Sequence, residues 1–454
     1  MSKKESLYQS RKKIYPKLIS GFYQRWRRIF GIAVYGLFFL VPWINLDDRP
    51  IVYFDLVQRQ FHLLGLNFWP QDFMFLAWFL IIAAYSLFTF TNIAGRLWCG
   101  FLCPQTIWTL AFVWVEDKIE GNSYHRKKID QQDKLTANQR AKRVAKYVVW
   151  LLMALLTGAT FVSYFYPARE LYPALLSGDI TLTPLVWVGI FTYLTFIDAA
   201  VLREQVCIYM CPYARFQSVM YDENTLAVAY NPDIGEPRAS LKAQKSGKVE
   251  NAGGCIDCSL CVQVCPTGID IRDGMQIDCI NCGLCVDACA DVMESVDRPK
   301  NLITFNTLNR LNGKETHLIR PRTVGYSIVL FAMLTLFTTM LFNRVAVEAS
   351  VIRERDRIYR VNAQHEVSNY YLLKIANKSQ EDQSYTVKME TEGFKLAKSP
   401  VVTLKKGQMV ERPLTVLSPQ KAPGSYPVTF EIISTKDQSI LKTIESRYIF
   451  PSQR

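Results

Sequence analysis

Histidine is scarce in this chain. Only four occur among 454 residues, at His62, His125, His317 and His365, and none has metal-ligand spacing. A histidine-built metal centre is therefore set aside, and each reads as a surface or hydrogen-bonded structural residue. Acidic residues are also in deficit, with 40 Asp and Glu against 53 Lys and Arg for a formal charge of +13. The basic runs, Lys3, Lys4, Arg11, Lys12 and Lys13 and then Arg25, Arg27 and Arg28, end directly at an apolar stretch without a recognisable nucleic-acid module. The charge thus reads as loops beside a membrane, and nucleic acid is not an expected partner. No small-residue cleavage site follows the first apolar stretch, which begins late and is long, so that stretch is expected to stay in the mature protein. Cysteine is missing from the C-terminal region, and eight of the twelve cysteines stand at metal-ligand spacing. A disulfide framework is excluded, and the thiols are expected on the reducing side.

What the chain has in excess is apolar sequence: half of its residues are hydrophobic, gathered in long stretches nearly free of charge. Five are expected to span a membrane: Ile29 to Leu46, Phe73 to Ala94, Tyr147 to Tyr166, Pro184 to Leu202 and Val324 to Phe342. Each suits a hydrocarbon layer of roughly 30 Å. Leu97 to Val115 is a candidate re-entrant helix, and Ile51 to Phe68 a candidate for the outer interface. The N-terminus and the Arg96 to Lys146 loop are crowded with Lys and Arg, whereas the Asn45 to Asp72 connection carries only Arg49 and Arg59. This bias places the N-terminus in the cytoplasm and, with an odd number of spans, the C-terminus outside. Trp26, Trp43, Trp98, Tyr147 and Trp187 are expected as interfacial anchors, and Arg126, Lys127 and Lys128 as a solvated face near anionic lipid.

The expected fold is a polytopic α-helical membrane protein of about five spans, with an inserted dicluster ferredoxin-like domain and a C-terminal immunoglobulin-like β-sandwich. Its parts are a basic N-terminus (1–28), a membrane domain with four spans (29–219), a cytoplasmic cofactor domain (220–322), a fifth span (324–342) and an outer domain (344–454). The cofactor domain is polar and interrupted by Gly253, Gly254, Pro266, Gly268, Gly274 and Gly283, so its order must come largely from bound metal. The outer domain shows alternating runs at Tyr371, Leu373, Ile375; Tyr385, Val387, Met389; Leu414, Val416; and Val428, Phe430, Ile432, the period of strands with one buried face.

Cys255, Cys258, Cys261 and Cys265, followed by Pro266, form the run C-x2-C-x2-C-x3-C-P. Cys279, Cys282, Cys285 and Cys289 repeat the spacing, with Ala290 where the proline would stand. Two-residue spacing lets three thiolates wrap one face of a cubane while the fourth reaches over from the other run. Cys255, Cys258, Cys261 and Cys289 are therefore expected to hold one 4Fe-4S cluster, and Cys265, Cys279, Cys282 and Cys285 the second. Paired zinc sites fit less well, since they do not need two complete four-cysteine runs.

The other four cysteines form Cys-x-x-x-Cys-Pro twice, each time shortly after an apolar stretch: Cys99, Cys103, Pro104 and Cys207, Cys211, Pro212. A spacing of four puts two thiols on one helix face, and proline suits the first position of a new helix. Cys103 and Cys211 should then sit at helix N-termini, which favours thiolate, and paired soft thiolates select Cu(I) or another thiophilic metal. Met210 is a candidate thioether helper. The alternative is that these cysteines are small buried residues or acylation sites.

Taken together, both Cys-x-x-x-Cys-Pro elements, the stretch from Cys211 to Met220 (CPYARFQSVM), the segment ending at Gly235 to Arg238 (GEPR), the doubled ferredoxin run and the outer β domain resemble the CcoG (RdxA, FixG) family of cytochrome oxidase accessory proteins. The resemblance covers nearly the whole chain; Ala290 is a departure that leaves all eight ligands in place. It implies a bacterial inner-membrane protein that reduces Cu(II) to Cu(I) for assembly of a cbb-type oxidase. The implied partners are the maturing oxidase or a copper carrier, together with an unidentified cytoplasmic electron donor. Two rival readings remain: a quinol-linked conduit resembling the membrane ferredoxin of periplasmic nitrate reduction, which is not expected to carry the outer sandwich, and a redox-sensing assembly scaffold.

Overall fold

The computed structural model describes residues 13–450 except 47–48, 247–248, 250, 318, 346, 355–358, 362–365, 380, 420–421 and 437. Lys3, Lys4, Arg11, Lys12 and His365 lie outside the described residues. The chain divides into two compact units, one formed by Ala77–Thr335 with the N-terminal segment up to Asn45, the other by Leu46–Leu76 with Leu336–Arg454.

Among the described residues, five helices are long and apolar enough to cross a membrane: Pro70–Ala94, Leu97–Glu120, Ala137–Val162, Leu182–Leu202 and Pro321–Phe342. Pro321–Phe342 buries none of its apolar window within protein, as a helix solvated by lipid would. The number matches the expectation; the membership does not. In place of Ile29 to Leu46 the chain forms a helix from Phe22–Leu40 and a 3-10 turn at Val41–Trp43. Arg25, Arg27 and Arg28 join that helix, which shortens its uncharged length, and Pro42 opens the tighter turn that follows. Leu97–Glu120 qualifies by composition yet is broken at Cys103 and Pro104 into Leu97–Phe101 and Pro104–Glu120. Both of its ends meet the polar segments: a Cβ on Gly100 would lie 2.8 Å from the Ile280 carbonyl, and Glu116 pairs with Arg126, whose Nη2 donates to the Pro16 carbonyl.

Arg126 was expected on a solvated face and is instead fully buried, its Nη1 2.7 Å from Glu116 Oε2. The cause is the pair of carboxylates Glu116 and Glu120, one turn apart on a mostly apolar helix. They draw in Arg126, Arg203 (3.1 Å from Glu116) and Lys146 (2.9 Å from Glu120) because a buried charge is tolerated only when paired. The expected aromatic anchors keep 40–50% of their surface exposed.

Residues 51–68, expected along the outer interface, form a three-stranded antiparallel meander of Val52–Asp55, Gln60–Leu63 and Leu66–Phe68. Leu64 and Gly65, at φ 50° and 83°, make the two-residue turn between its last strands, with the twist such hairpins prefer. His62 is buried there, 3.1 Å from Arg49 Nη1 and bonded to Asn67, a structural histidine.

In the same unit the C-terminal chain folds into two antiparallel sheets. One runs Lys395–Leu396, Met409–Ser418, Val367–Asn377, Val347–Arg353, with Tyr359–Val361 also on Val367–Asn377; the other runs Val401–Leu404, Gln383–Met389, Gly424–Ser434, Ile440–Phe450. The alternating residues meet between the sheets: Leu373, Ile375, Val387, Val416, Val428, Phe430 and Ile432 are completely buried. Asp72 binds Lys378 at 3.0 Å and also Arg344, joining the end of the meander to the sandwich.

Candidate metal centres

The cysteine-rich segment has little regular structure of its own. A strand pair, Ala227–Tyr230 with Ile303–Asn306, closes it, and two helices carry cysteines of the runs, Leu260–Gln263 with Cys261 and Leu284–Ser295 with Cys285 and Cys289. The runs fold alike. Asp257 and Ser259 in the first, and Asn281 and Gly283 in the second, stand at equivalent places with φ of 50°, 54°, 52° and 72°. Left-handed residues on either side of Cys258 and Cys282 curl the backbone so that successive thiols face inward. At Gly283 a side chain is also barred by Tyr23, whose Cγ would lie 2.5 Å from its Cβ.

Two cavities result. One is lined by Cys255, Cys258, Cys261 and Cys289 and closed by Ile256, Met293, Leu302 and Ile303. The other is lined by Cys265, Cys279, Cys282 and Cys285 among Val228, Ile269, Ile271 and Leu284. Cys261 lines both, and its charge is felt at Cys285 and Cys289 alike. Burial, reinforced by neighbouring thiol charge, pushes Cys279 and Cys289 up to about 12, and burial pushes Cys261 up to about 11. At neutral pH these groups stay protonated until a thiophilic metal displaces the proton. Neither cavity wall contains a histidine or carboxylate. A sulfur-only donor set of four around each cavity fits an iron–sulfur cluster. No group of three or more His, Cys, Asp or Glu among the described residues is drawn together tightly enough for one bare ion, so the thiols ring their cavities instead.

The Cys-x-x-x-Cys-Pro elements place their second cysteines as expected but do not put each pair on one helix face, because the chain turns extended at Cys103 and Cys211 ahead of the prolines. Cys103 and Cys211 are the N-cap residues of Pro104–Glu120 and Pro212–Met220, with the prolines at the first helical position. Cys99 lies in Leu97–Phe101, and Cys207 in a single π-helical turn, Val206–Met210. The four sulfurs share a neighbourhood, since charge on Cys99 is felt from Cys103, Cys207 and Cys211, but no three of them are drawn tightly enough around one point to hold a bare ion. Met210, the expected thioether, is 62% exposed.

The second cavity and these thiols share a wall. Cys99 packs against the cluster of Val264, Ile280, Cys282, Leu284 and Ala288, and a side chain on Gly100 would strike the Ile280 and Asn281 carbonyls at 2.8 and 2.9 Å. Arg27 Nε donates to the Gly100 carbonyl at 2.9 Å, and Thr106 Oγ1 to the Cys99 carbonyl at 2.7 Å. A further link was not foreseen. Asp287, between Cys285 and Cys289, accepts the backbone N–H groups of Tyr23 and Gln24 at 3.1 and 2.8 Å and so caps the first helix from across the chain. The only sign of it in sequence is a helix start, at Gly21, without a capping side chain of its own.

Known proteins fit this arrangement. The 4Fe-4S dicluster domain model matches residues 202–308, and the model for the IG-like fold at the C-terminus of FixG matches residues 337–451. Protein RdxA of Cereibacter sphaeroides is 38% identical over 404 residues, covering 85% of this chain and 84% of that protein. The chain belongs to the CcoG/RdxA/FixG family. Two other relatives from that family are similar to it over the same share of the chain. Nitrogen fixation protein FixG of Rhizobium meliloti is 35% identical over 425 residues, 80% of its length, and protein RdxB of C. sphaeroides 36% identical over 404 residues, 84% of its length. This CcoG/RdxA/FixG member is a membrane iron–sulfur protein of electron transfer, with 4Fe-4S clusters and an immunoglobulin-like C-terminal domain.

Proposed function

We propose that this protein hands single electrons to Cu(II) and releases Cu(I) to a copper carrier or a maturing cbb-type oxidase. The observation that carries the reading is the shared wall between the second cysteine cavity and the four membrane-edge thiols, through Cys99 and Gly100 on Ile280 and Cys282. Cys255, Cys258, Cys261 and Cys289 hold one cluster, and Cys265, Cys279, Cys282 and Cys285 the other. When bound, the clusters supply reversible one-electron storage. The chain's own residues do the rest. Apolar walls of Val264, Ile280 and Leu284 exclude water beside the second cavity, and Cys99, Cys103, Cys207 and Cys211 receive copper. Each turnover at that site adds one electron to Cu(II), and soft thiolates favour the Cu(I) product over the ion that entered.

The sidedness we infer follows loop charge. The N-terminus and clusters lie in the cytoplasm and the sandwich outside, in a bacterial inner membrane. Leu97–Glu120 then dips and returns, since both its ends meet cytoplasmic segments, and Phe22–Leu40 crosses. The sandwich matched at residues 337–451 weighs against the rival reading as a membrane ferredoxin of nitrate reduction.

The test is anaerobic Cu(II) reduction by purified, dithionite-reduced protein, beside a variant with Cys99, Cys103, Cys207 and Cys211 changed to Ser. The variant should keep its iron while reduction slows by about tenfold or more, because hard oxygen replaces soft sulfur. Parental reduction rates with full iron would overturn the copper role of these thiols.

A further inference from the structure

Among the described residues, Arg96 is a buried cation with which no carboxylate pairs. It stands in the two-residue connection between the helix ending at Ala94 and Leu97–Phe101, three residues before Cys99, and is 3% exposed. Its backbone N–H donates to Tyr221 Oη at 3.0 Å and its Nη2 to the Ala214 carbonyl at 2.5 Å, and neither acceptor carries a charge. Asp222, next to Tyr221, is taken by Arg320. A buried charge without a counter-charge is costly, so the balance must come from what lies near.

What lies near is sulfur. Arg96 lines a cleft with Tyr221, Asn281 and Cys279, the last a thiol of the second cysteine cavity. The fit there is close: a Cβ on Gly95 would lie 2.6 Å from both Asn281 Nδ2 and Tyr221 Oη, and Asn281 stands between Cys279 and Cys282. The charge of Arg96 is felt at Cys279 in the second cavity, and also at Cys99 and Cys207 of the membrane-edge set. Other cations beside the cavities are matched. Arg272, at the wall of the first, pairs with Asp257 at 2.7 Å and with Asp270 at 2.6 Å. Arg27, near Cys265 and Cys282, also feels the charge of Asp287. Of these three, only Arg96 is left with sulfur alone to answer it.

We propose that Arg96 is the shared counter-charge of the second cluster and the four membrane-edge thiols, and that it makes the second cluster easier to reduce. The inference rests on the cluster assignment above and names a positioning residue for the electron path; it does not need copper to be the acceptor. Four thiolates give a cluster a net negative charge that grows by one when an electron arrives, and a fixed cation beside it favours that reduced state. The same cation offsets the negative charge that thiolate ligands bring to a metal at the membrane edge. The electron is thereby drawn to the cluster that shares a wall with those thiols.

The test is a reductive titration of the purified holoprotein without copper, followed by electron paramagnetic resonance, which reads two one-electron midpoints. In Arg96→Gln, which keeps an amide donor and loses the charge, one midpoint should fall by about 59 mV, a tenfold change in its one-electron equilibrium, while the other holds. Arg96→Lys, which keeps the charge without the planar fork, should restore it; an arginine needed only for its hydrogen bonds would not be replaced in this way. Iron content in both variants reports assembly. Loss of iron in Arg96→Gln but not in Arg96→Lys also supports a counter-charge. Loss in both, or two unmoved midpoints in iron-replete Arg96→Gln, would overturn the proposal. Cu(I) affinity, read by competition with a chromophoric chelator, should fall in Arg96→Gln and recover in Arg96→Lys, and an unchanged affinity would strike the membrane-edge half. A parental protein that binds no Cu(I) would sink the copper reading alone, and the midpoints would still decide this one.

Discussion

In the sandwich, Leu373, Ile375, Leu404, Val416, Val428, Phe430 and Ile432 fill the space between two sheets and reach zero exposure. In the cysteine-rich segment the strands are four residues long, and the corresponding space is taken by two cavities ringed by sulfur. The first region buries enough apolar surface to order itself; the second gathers thiols where a core would stand and draws its order from the metal they bind. The contrast extends to backbone. The sandwich strands run up to 11 residues, with a register shift at Ile432 and Ile433 against Ile440–Phe450, while the cluster loops place Asp257, Ser259 and Asn281 in the left-handed region, a conformation that costs non-glycine residues about 1–3 kcal/mol each unless the surroundings impose it.

The sharpest way to break this comparison is to remove the iron. Replacing Cys258 and Cys282 together with Ala takes one thiol from each cavity; iron content should fall to near zero, and residues 220–322 should become protease-sensitive while 347–450 stay resistant. Retained iron would refute the ligand assignment, and a sandwich that melts with the loops would refute the independence of its core. A smaller effect works in the opposite direction. Phe430 is fully buried, edge to face with Tyr371 at 5.4 Å, so Phe430→Ala should cost the sandwich about 3–5 kcal/mol and leave iron unchanged. Thermal unfolding with parallel iron determination checks both halves. The smallest effect concerns Asp287. Asp287→Ala removes the cap on Tyr23 and Gln24 and should cost about 1–2 kcal/mol. Hydrogen exchange should then rise in the first turn of Phe22–Leu40 without loss of cluster absorbance, which distinguishes a tether from a ligand-positioning role.

Cysteine spacing and strand alternation were legible because each is a local, periodic signal. The four cysteines expected around each cluster line a common cavity, with Cys261 reaching both, and the alternating residues from Tyr371 to Ile432 lie in or against one core. What was hidden depends on distant partners. Arg126 reads as one of three adjacent cations until Glu116, ten residues earlier and on another helix, takes it inside. Ile51 to Phe68 reads as one interfacial stretch, and its division into paired strands rests on a two-residue turn at Leu64 and Gly65 that no apolar pattern announces. Leu97–Glu120 has a span's composition and a hairpin's contacts.

The tether from Asp287 to the first helix also has a meaning in time. The acceptor lies 264 residues beyond Tyr23, and at about 5–20 residues per second the ribosome needs roughly 13–50 seconds to reach it. For that interval the helix that carries Arg25, Arg27 and Arg28 stands with its leading amides uncovered. The cap arrives only when the second cysteine run is made and folded, so the earliest helix to emerge is among the last to be finished. A cell that fails to load iron would thus leave its mark at the start of the chain, far in sequence from any cysteine.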